Sequence, residues 1–167
     1  MNLKRLLKHR WLDERDAARA LDAAVLARLQ ARVAQSEALH SGEIRVLVEA
    51  GLPLSYLWRD LPARARAVTM FGKLRVWDTE HNNGVLIYLL LADHAIEIVA
   101  DRGLARHVPQ AHWEAVMADM RAAFRAGQFE AGLMAAISHV DQALSQHYAL
   151  APGQANPNEL PDRPTLA

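Results

Sequence analysis

RVWDTEHNNGVLIYLLLADHAIEIVADRG, Arg75 to Gly103, is the stretch on which the fold of this chain turns. Its apolar run, Val85 to Ala92, stands directly behind a polar, turn-prone segment, Asp78 to Gly84. A second strand-like run, Ala95 to Ala100, follows after only Asp93 and His94 and opens into Asp101-Arg102-Gly103. Two strands joined by so short a loop are antiparallel. The start of the first then lies beside the end of the second, so both polar turns meet at one rim of a sheet.

Working towards the N-terminus, Ala63 to Leu74 reads as a helix, with Val68, Phe71 and Leu74 on one side and Arg64 and Arg66 elsewhere. Before it, Glu43 to Glu49 alternates Ile44, Val46 and Val48 against Arg45, Leu47 and Glu49, which is a strand pattern. A strand–helix–strand unit within one sheet is parallel and right-handed. The segment His40-Ser41-Gly42-Glu43 is therefore expected at the same rim as Asn83 and Asp101. Leu21, Val25, Leu29 and Val33 recur at helical spacing, with a break at Ser41-Gly42. After Gly103, two helical stripes follow: Trp113, Val116, Met117, Met120 and Phe124, then Phe129, Leu133, Ile137, Val140 and Leu144. Gly127 suits the position just past a helix end.

These periodicities predict an α/β chain. Residues 1–20 read as a basic helical extension, 21–149 as the α/β domain, and 150–167, which holds four prolines, as a tail that is extended or partly disordered. In the extension, Leu3, Leu6 and Leu7 with Lys4, Arg5, Lys8 and Arg10 allow a short amphipathic helix that rests on an anionic membrane. A solvated helical start is the expected reading, ahead of that one.

Composition narrows the function. Lys plus Arg is 19 and Asp plus Glu is 19, so nothing electrostatic draws the chain to nucleic acid. The absence of cysteine excludes disulfides, zinc-thiolate sites, iron–sulfur clusters and a cysteine nucleophile. No Walker loop, G-x-G-x-x-G or G-x-S-x-G occurs, so neither nucleotide chemistry nor a serine nucleophile elbow is expected. No apolar run of signal-peptide or membrane-spanning length is present. The expectation is a cytoplasmic protein that is not integral to a membrane.

The rim gathers the residues with chemistry. Glu43, Asp78, Glu80 and Asp101 are carboxylates, Asn82 and Asn83 carry amide oxygens, and Arg102 is a fixed cation. Hard cations such as calcium or magnesium take oxygens of these kinds. A phosphate would instead use Arg102, loop N–H groups and a metal. The same residues also suit plain turns held by ion pairs. All three readings remain open on spacing alone. Leu52 to Leu61 (LPLSYLWRDL) is apolar for a linker and is a candidate contact for a partner.

Three of these segments carry a resemblance: His40-Ser41-Gly42-Glu43-Ile44, Asn82-Asn83-Gly84-Val85-Leu86-Ile87 and Asp101-Arg102-Gly103-Leu104. Together with Phe124 to Gly132 (FRAGQFEAG), they resemble the TPM domain family, named after a thylakoid-lumen protein, a photosystem II repair protein and a nematode receptor modulator. The resemblance spans Val25 to Leu144 and points to a cytoplasmic bacterial variant. It implies a three-layer α/β/α sandwich with a mixed central sheet flanked by helices. It also implies acid phosphatase activity, calcium binding, or a part in assembling membrane complexes. Where many members have Asp-Asn-Gly this chain has Asn82-Asn83-Gly84, and where many have Gly-Tyr-Gly it has Asp101-Arg102-Gly103.

The expected function is an interaction or scaffold module for a protein partner, a membrane-associated one included, with a rim that binds calcium or magnesium. The expected ligands are Asp78, Glu80, Asn82, Asn83 and Asp101. The alternative is a metal-dependent, acid-phosphatase-like hydrolase with Glu43, Asp101 and Arg102 as its catalytic candidates.

Overall fold

Strand alternation and helix periodicity place apolar side chains on both faces of the central strands, and the chain covers both. The computed structural model describes residues 3–12 and 14–167, without the side chains of residues 3, 4, 14 and 119. Its helices are α1 (Leu3–Trp11), α2 (Glu14–Ala20), α3 (Ala23–Glu37), α4 (Leu54–Trp58), α5 (Ala63–Lys73), α6 (Arg102–Ala105), α7 (Gln110–Arg125) and α8 (Phe129–Tyr148). Its strands are β1 (Ile44–Glu49), β2 (Val85–Leu90), β3 (Ala95–Ala100) and β4 (Thr165–Leu166), ordered β3-β2-β1-β4.

β1 runs parallel to β2, with Ile44 beside Val85, and β2 runs antiparallel to β3, with Val85 beside Ala100. The sheet is therefore mixed, and the two predicted strand relations hold. One face, carrying Ile44, Val46, Val48, Val85, Ile87, Leu89 and Ile98, packs against α3, α7 and α8. The other, carrying Leu47, Leu86, Tyr88 and Leu90, packs under α4 and α5. The result is a three-layer α/β/α sandwich.

Two details differ from the sequence pattern. In α5 the buried positions are Ala63 and Ala67, while Val68 is exposed. Small residues on the inner face let the helix lie close over Tyr88. Arg66, set apart from the apolar side on periodicity, turns inward. Its guanidinium donates to both oxygens of Glu49, at 2.8 and 2.5 Å, and the Tyr88 hydroxyl donates to the same carboxylate at 2.7 Å.

The second detail is a strand in the tail that the sequence pattern did not show. Residues 157–167 lie along the sheet edge and add β4 beside Leu47 and Val48. Arg45 holds them, donating to the carbonyls of Pro161 and Arg163 and to the Thr165 hydroxyl. Leu160 is buried in the α5-side core. Apolar periodicity could not reveal this, because the strap is held mainly by its backbone carbonyls.

At the other end of the chain, Ala17 is fully buried in the main core. His9 is buried between the Asp93 carboxylate and the Leu52 N–H, at 3.0 and 2.9 Å. Of the sequence reading of residues 1–20, the parts on Met1, Asn2 and Asp13, and on the side chains of Leu3 and Lys4, fall outside the described residues.

Candidate functional site at the sheet rim

Parallel β1–β2 pairing and antiparallel β2–β3 pairing put the start of β1, the start of β2 and the end of β3 on one edge. The Val85 N–H donates to the Glu43 carbonyl at 2.8 Å, and the Asp101 N–H to the Gly84 carbonyl at 2.9 Å. The Gly103 N–H donates to the Asn82 carbonyl at 2.8 Å. The three polar segments therefore interlock. A side chain at Gly84 would run into the Val76 carbonyl, and one at Gly103 into the carbonyls of His81 and Asn82. Both glycines are required by this close approach.

Asn83 is fully buried. Its amide nitrogen donates to the Ser41 hydroxyl at 3.2 Å, and Oδ1 has no partner among the described residues. Asp101 is also buried. Its Oδ1 accepts the Arg102 N–H at 2.7 Å and caps the short α6, while Oδ2 has no partner among the described residues. Two buried oxygen acceptors thus stand unanswered on adjacent strand ends. An ion-paired rim would join Arg102 to Asp78, Glu80 or Glu43, and among the described residues Arg102 pairs with Asn82 instead. Its Nε and Nη2 donate to Asn82 Oδ1 at 3.1 and 3.0 Å, with Asn82 in the left-handed region at φ 52°.

The remaining sequence candidates fall elsewhere on the rim. Asp78 and Glu80 are exposed, and the Glu80 backbone N–H is held by the Glu159 carboxylate. Glu43 is fully buried beneath the tail, where its Oε2 accepts the Leu160 N–H at 3.0 Å. Burial pushes its carboxyl up to about 7, against the pull of backbone N–H groups. An open groove of about 490 Å³ runs past these turns, lined by Ser41, Glu80, His81, Asn82, Tyr148 and Gln154, among others.

Sequence reasoning missed Glu37. It is buried at the end of α3, and its Oε1 accepts the Ile44 N–H at 2.7 Å. Burial pushes its carboxyl up to about 8. The tail residues Asn156, Glu159 and Asp162 were missed too. Asn156 donates to the Glu37 carbonyl at 3.3 Å, and Asp162 adds negative charge beside both glutamates. No local signal marks this group, since its members meet only through the tail. His40 is a core residue, bonded to Ser36 at 2.8 Å, and burial lowers its pKa against the pull of Asp141.

A hard cation is tested by its donors. Asn83 Oδ1 and Asp101 Oδ2 are oxygens of the right kind and lack partners, so they fit such an ion. They do not make a complete shell. Among the described residues, no three His, Cys, Asp or Glu side chains gather in a metal-holding arrangement. Backbone oxygens and water would have to supply the rest.

The TPM domain model matches residues 15–143. The chain belongs to the TPM domain family. Among solved structures, this TPM domain is similar to BA42 from the psychrophilic bacterium Bizionia argentinensis. The two are 26% identical, with a TM-score of 0.75, over 88% of this chain and 95% of that one. It shares its fold with the N-terminal domain of a Porphyromonas gingivalis (P.gingivalis) protein at 21% identity, with a TM-score of 0.64, over 78% and 82% of the two chains. No curated protein matches it. Among the described residues, no helix is long and apolar enough to cross a membrane.

Proposed function

We propose that this TPM domain is an interaction module whose rim takes calcium or magnesium on Asn83 and Asp101 and presents the adjoining groove to a protein partner. The observation that carries the reading is the pair of buried, unpartnered oxygens on adjacent strand ends. Leaving such acceptors unmet costs about 1–3 kcal/mol each, and a bound cation would recover that loss. The ion would also tie the β2 and β3 ends together and fix the groove wall built by Ser41 and Asn82. Affinity rises with the number of charged ligands. With Asp101 as the one carboxylate ligand, the dissociation constant should be on the order of 0.1–1 mM, as in weak modular calcium sites.

Calorimetric titration of calcium into the full chain tests this. Wild type should bind, and Asp101→Asn, which keeps an oxygen to cap α6 but removes the charge, should bind at least about tenfold more weakly. Absence of binding heat, or equal affinity in the variant, would overturn the reading.

A metal-dependent, acid-phosphatase-like hydrolase is the second reading, and the placement of Arg102 next to Asp101 favours it. Arg102 would steady the phosphate while a cation on Asp101 polarised a phosphoryl oxygen. Glu43, with its raised pKa, has the protonation range of an acid catalyst. Its side chain reaches the groove only if Leu160 lifts from it. Turnover of a generic phosphomonoester that needs a divalent cation and is lost in Asp101→Asn would decide for this reading over the first.

A further inference from the structure

An amphipathic surface helix normally turns its apolar side inward; α1 packs Leu6 in part against the core but turns Leu7 and Trp11 outward. Its inward pole is Arg5 and His9. Arg5 donates to the carboxylates of Asp60 and Asp93, at 2.9 and 3.1 Å, and to the Leu61 carbonyl at 2.9 Å. His9 is buried on Asp93 and the Leu52 N–H. At roughly 100° per residue, Leu7 stands opposite the midpoint of these two, and Trp11 follows one turn on. Leu7 is 54% exposed and Trp11 84% exposed. Lys8 and Arg10 are exposed on the two flanks of this stripe, and no acidic residue occurs in the helix.

The neighbouring α4, which packs against α1, adds an exposed pair at the same spacing, Leu54 at 49% and Trp58 at 70%, followed by exposed Arg59. Beside α1, a concavity of about 530 Å³ has Arg10 and Arg15 in its wall.

We infer that the outward faces of α1 and α4 form a docking surface for an anionic lipid bilayer. Leu7, Trp11, Leu54 and Trp58 enter the interface, and Lys8, Arg10 and Arg59 meet the acidic headgroups. Leucine and tryptophan flanked by lysine and arginine match the boundary between headgroups and acyl chains, where each part finds its own medium. Four scattered apolar side chains are too few for a stable protein interface, which needs roughly 800 Å² from each partner. A bilayer requires no matching shape. The basic flanks add electrostatic attraction that is local to this end of a chain with zero net charge. The surface lies apart from the rim, so a docked domain keeps its groove open.

Flotation of the full chain with lipid vesicles tests the inference, with tryptophan fluorescence as a second readout. On vesicles containing about one-third phosphatidylserine in phosphatidylcholine, wild type should float and its emission should shift to the blue. On phosphatidylcholine alone, binding should fall at least about tenfold, in line with the contribution of several basic residues near a charged surface. The double variant Leu7→Ala/Trp11→Ala should lose binding, and Lys8→Glu/Arg10→Glu should lose the preference for phosphatidylserine. Trp77→Ala, at an exposed site elsewhere, should bind as wild type does. Unchanged thermal melting of the variants shows that they are folded, which is expected because all four substituted α1 side chains are exposed. Failure of wild type to float with the acidic vesicles, or undiminished flotation of Leu7→Ala/Trp11→Ala, would overturn the proposal. So would a concentration-dependent dimer that disappears in that double variant while vesicles are ignored, which would assign the face to a second copy of the chain.

Discussion

Glu37 shows how much one residue's surroundings decide. The helix that carries it is an ordinary amphipathic one, yet the carboxyl ends buried against the Ile44 N–H with the tail across it. Burial raises its pKa to about 8, and the Ile44 N–H opposes that shift only in part. The folded chain therefore keeps a proton on Glu37 that the unfolded chain releases above its ordinary value of about 4.5. Because the folded state binds more protons in this window, stability falls as pH rises from about 4.5 to about 8 and levels off beyond it. Glu37→Gln removes the titration. Relative to wild type, the variant should gain about 1–3 kcal/mol between pH 5 and pH 9, read from urea unfolding at both values. A constant offset between the two proteins across that range would contradict the buried, protonated state.

Among the elements, α5 is joined to the sheet by charge as well as by apolar contact. Glu49 on β1 is buried and receives Arg66 from α5 and Tyr88 from β2. Arg66 also lies over the Tyr56 ring at 5.4 Å, which brings in α4. Removing only the cation strands a buried carboxylate. Arg66→Leu should therefore cost about 3–5 kcal/mol, whereas Arg66→Leu combined with Glu49→Met should cost much less. Chemical denaturation of the two variants measures the difference. The glycines give a second contrast at this scale. Gly72 lies near the end of α5 with open space where a side chain would go, so Gly72→Ala should stabilise the chain by about 0.5–1 kcal/mol. Gly84 lies under the Val76 carbonyl, so Gly84→Ala should lower the melting temperature by several degrees, equivalent to at least about 1 kcal/mol.

The whole molecule is closed by its last residues. Residues 157–167 supply β4, bury Leu160, cap Glu43 and accept three hydrogen bonds from Arg45. Ala50 and Ala167 exchange further backbone bonds with the strap and with β1, at 2.9 Å each. Deleting residues 157–167 would expose the β1 edge and leave Arg45 and Glu43 without these partners. The shortened chain should lose at least about 3 kcal/mol, visible as a lower denaturant midpoint and as faster amide exchange across β1. Retention of wild-type stability would mean that the strap is ornamental to the fold.

The patterns that read correctly from the sequence are local ones. Alternation in Glu43 to Glu49 and the apolar run from Val85 fixed two strands, and the two-residue gap at Asp93-His94 fixed their antiparallel continuation. Chain connectivity then forced Glu43, Asn83 and Asp101 to one rim, because a parallel crossover and a hairpin leave no other arrangement. The partners of the rim side chains were not legible. Leu160 reaches Glu43 across 117 residues, and Thr165 reaches Arg45 across 120. Which carboxylates face solvent, which lie under the tail, and which oxygens remain unpartnered depend on those distant contacts. Sequence by itself thus determined three strands of the sheet and the edge on which polar residues collect, since backbone pairing follows side-chain periodicity. Only the tertiary structure decided the chemistry of that edge, since burial and hydrogen-bond partners are set by whatever the rest of the chain lays over it.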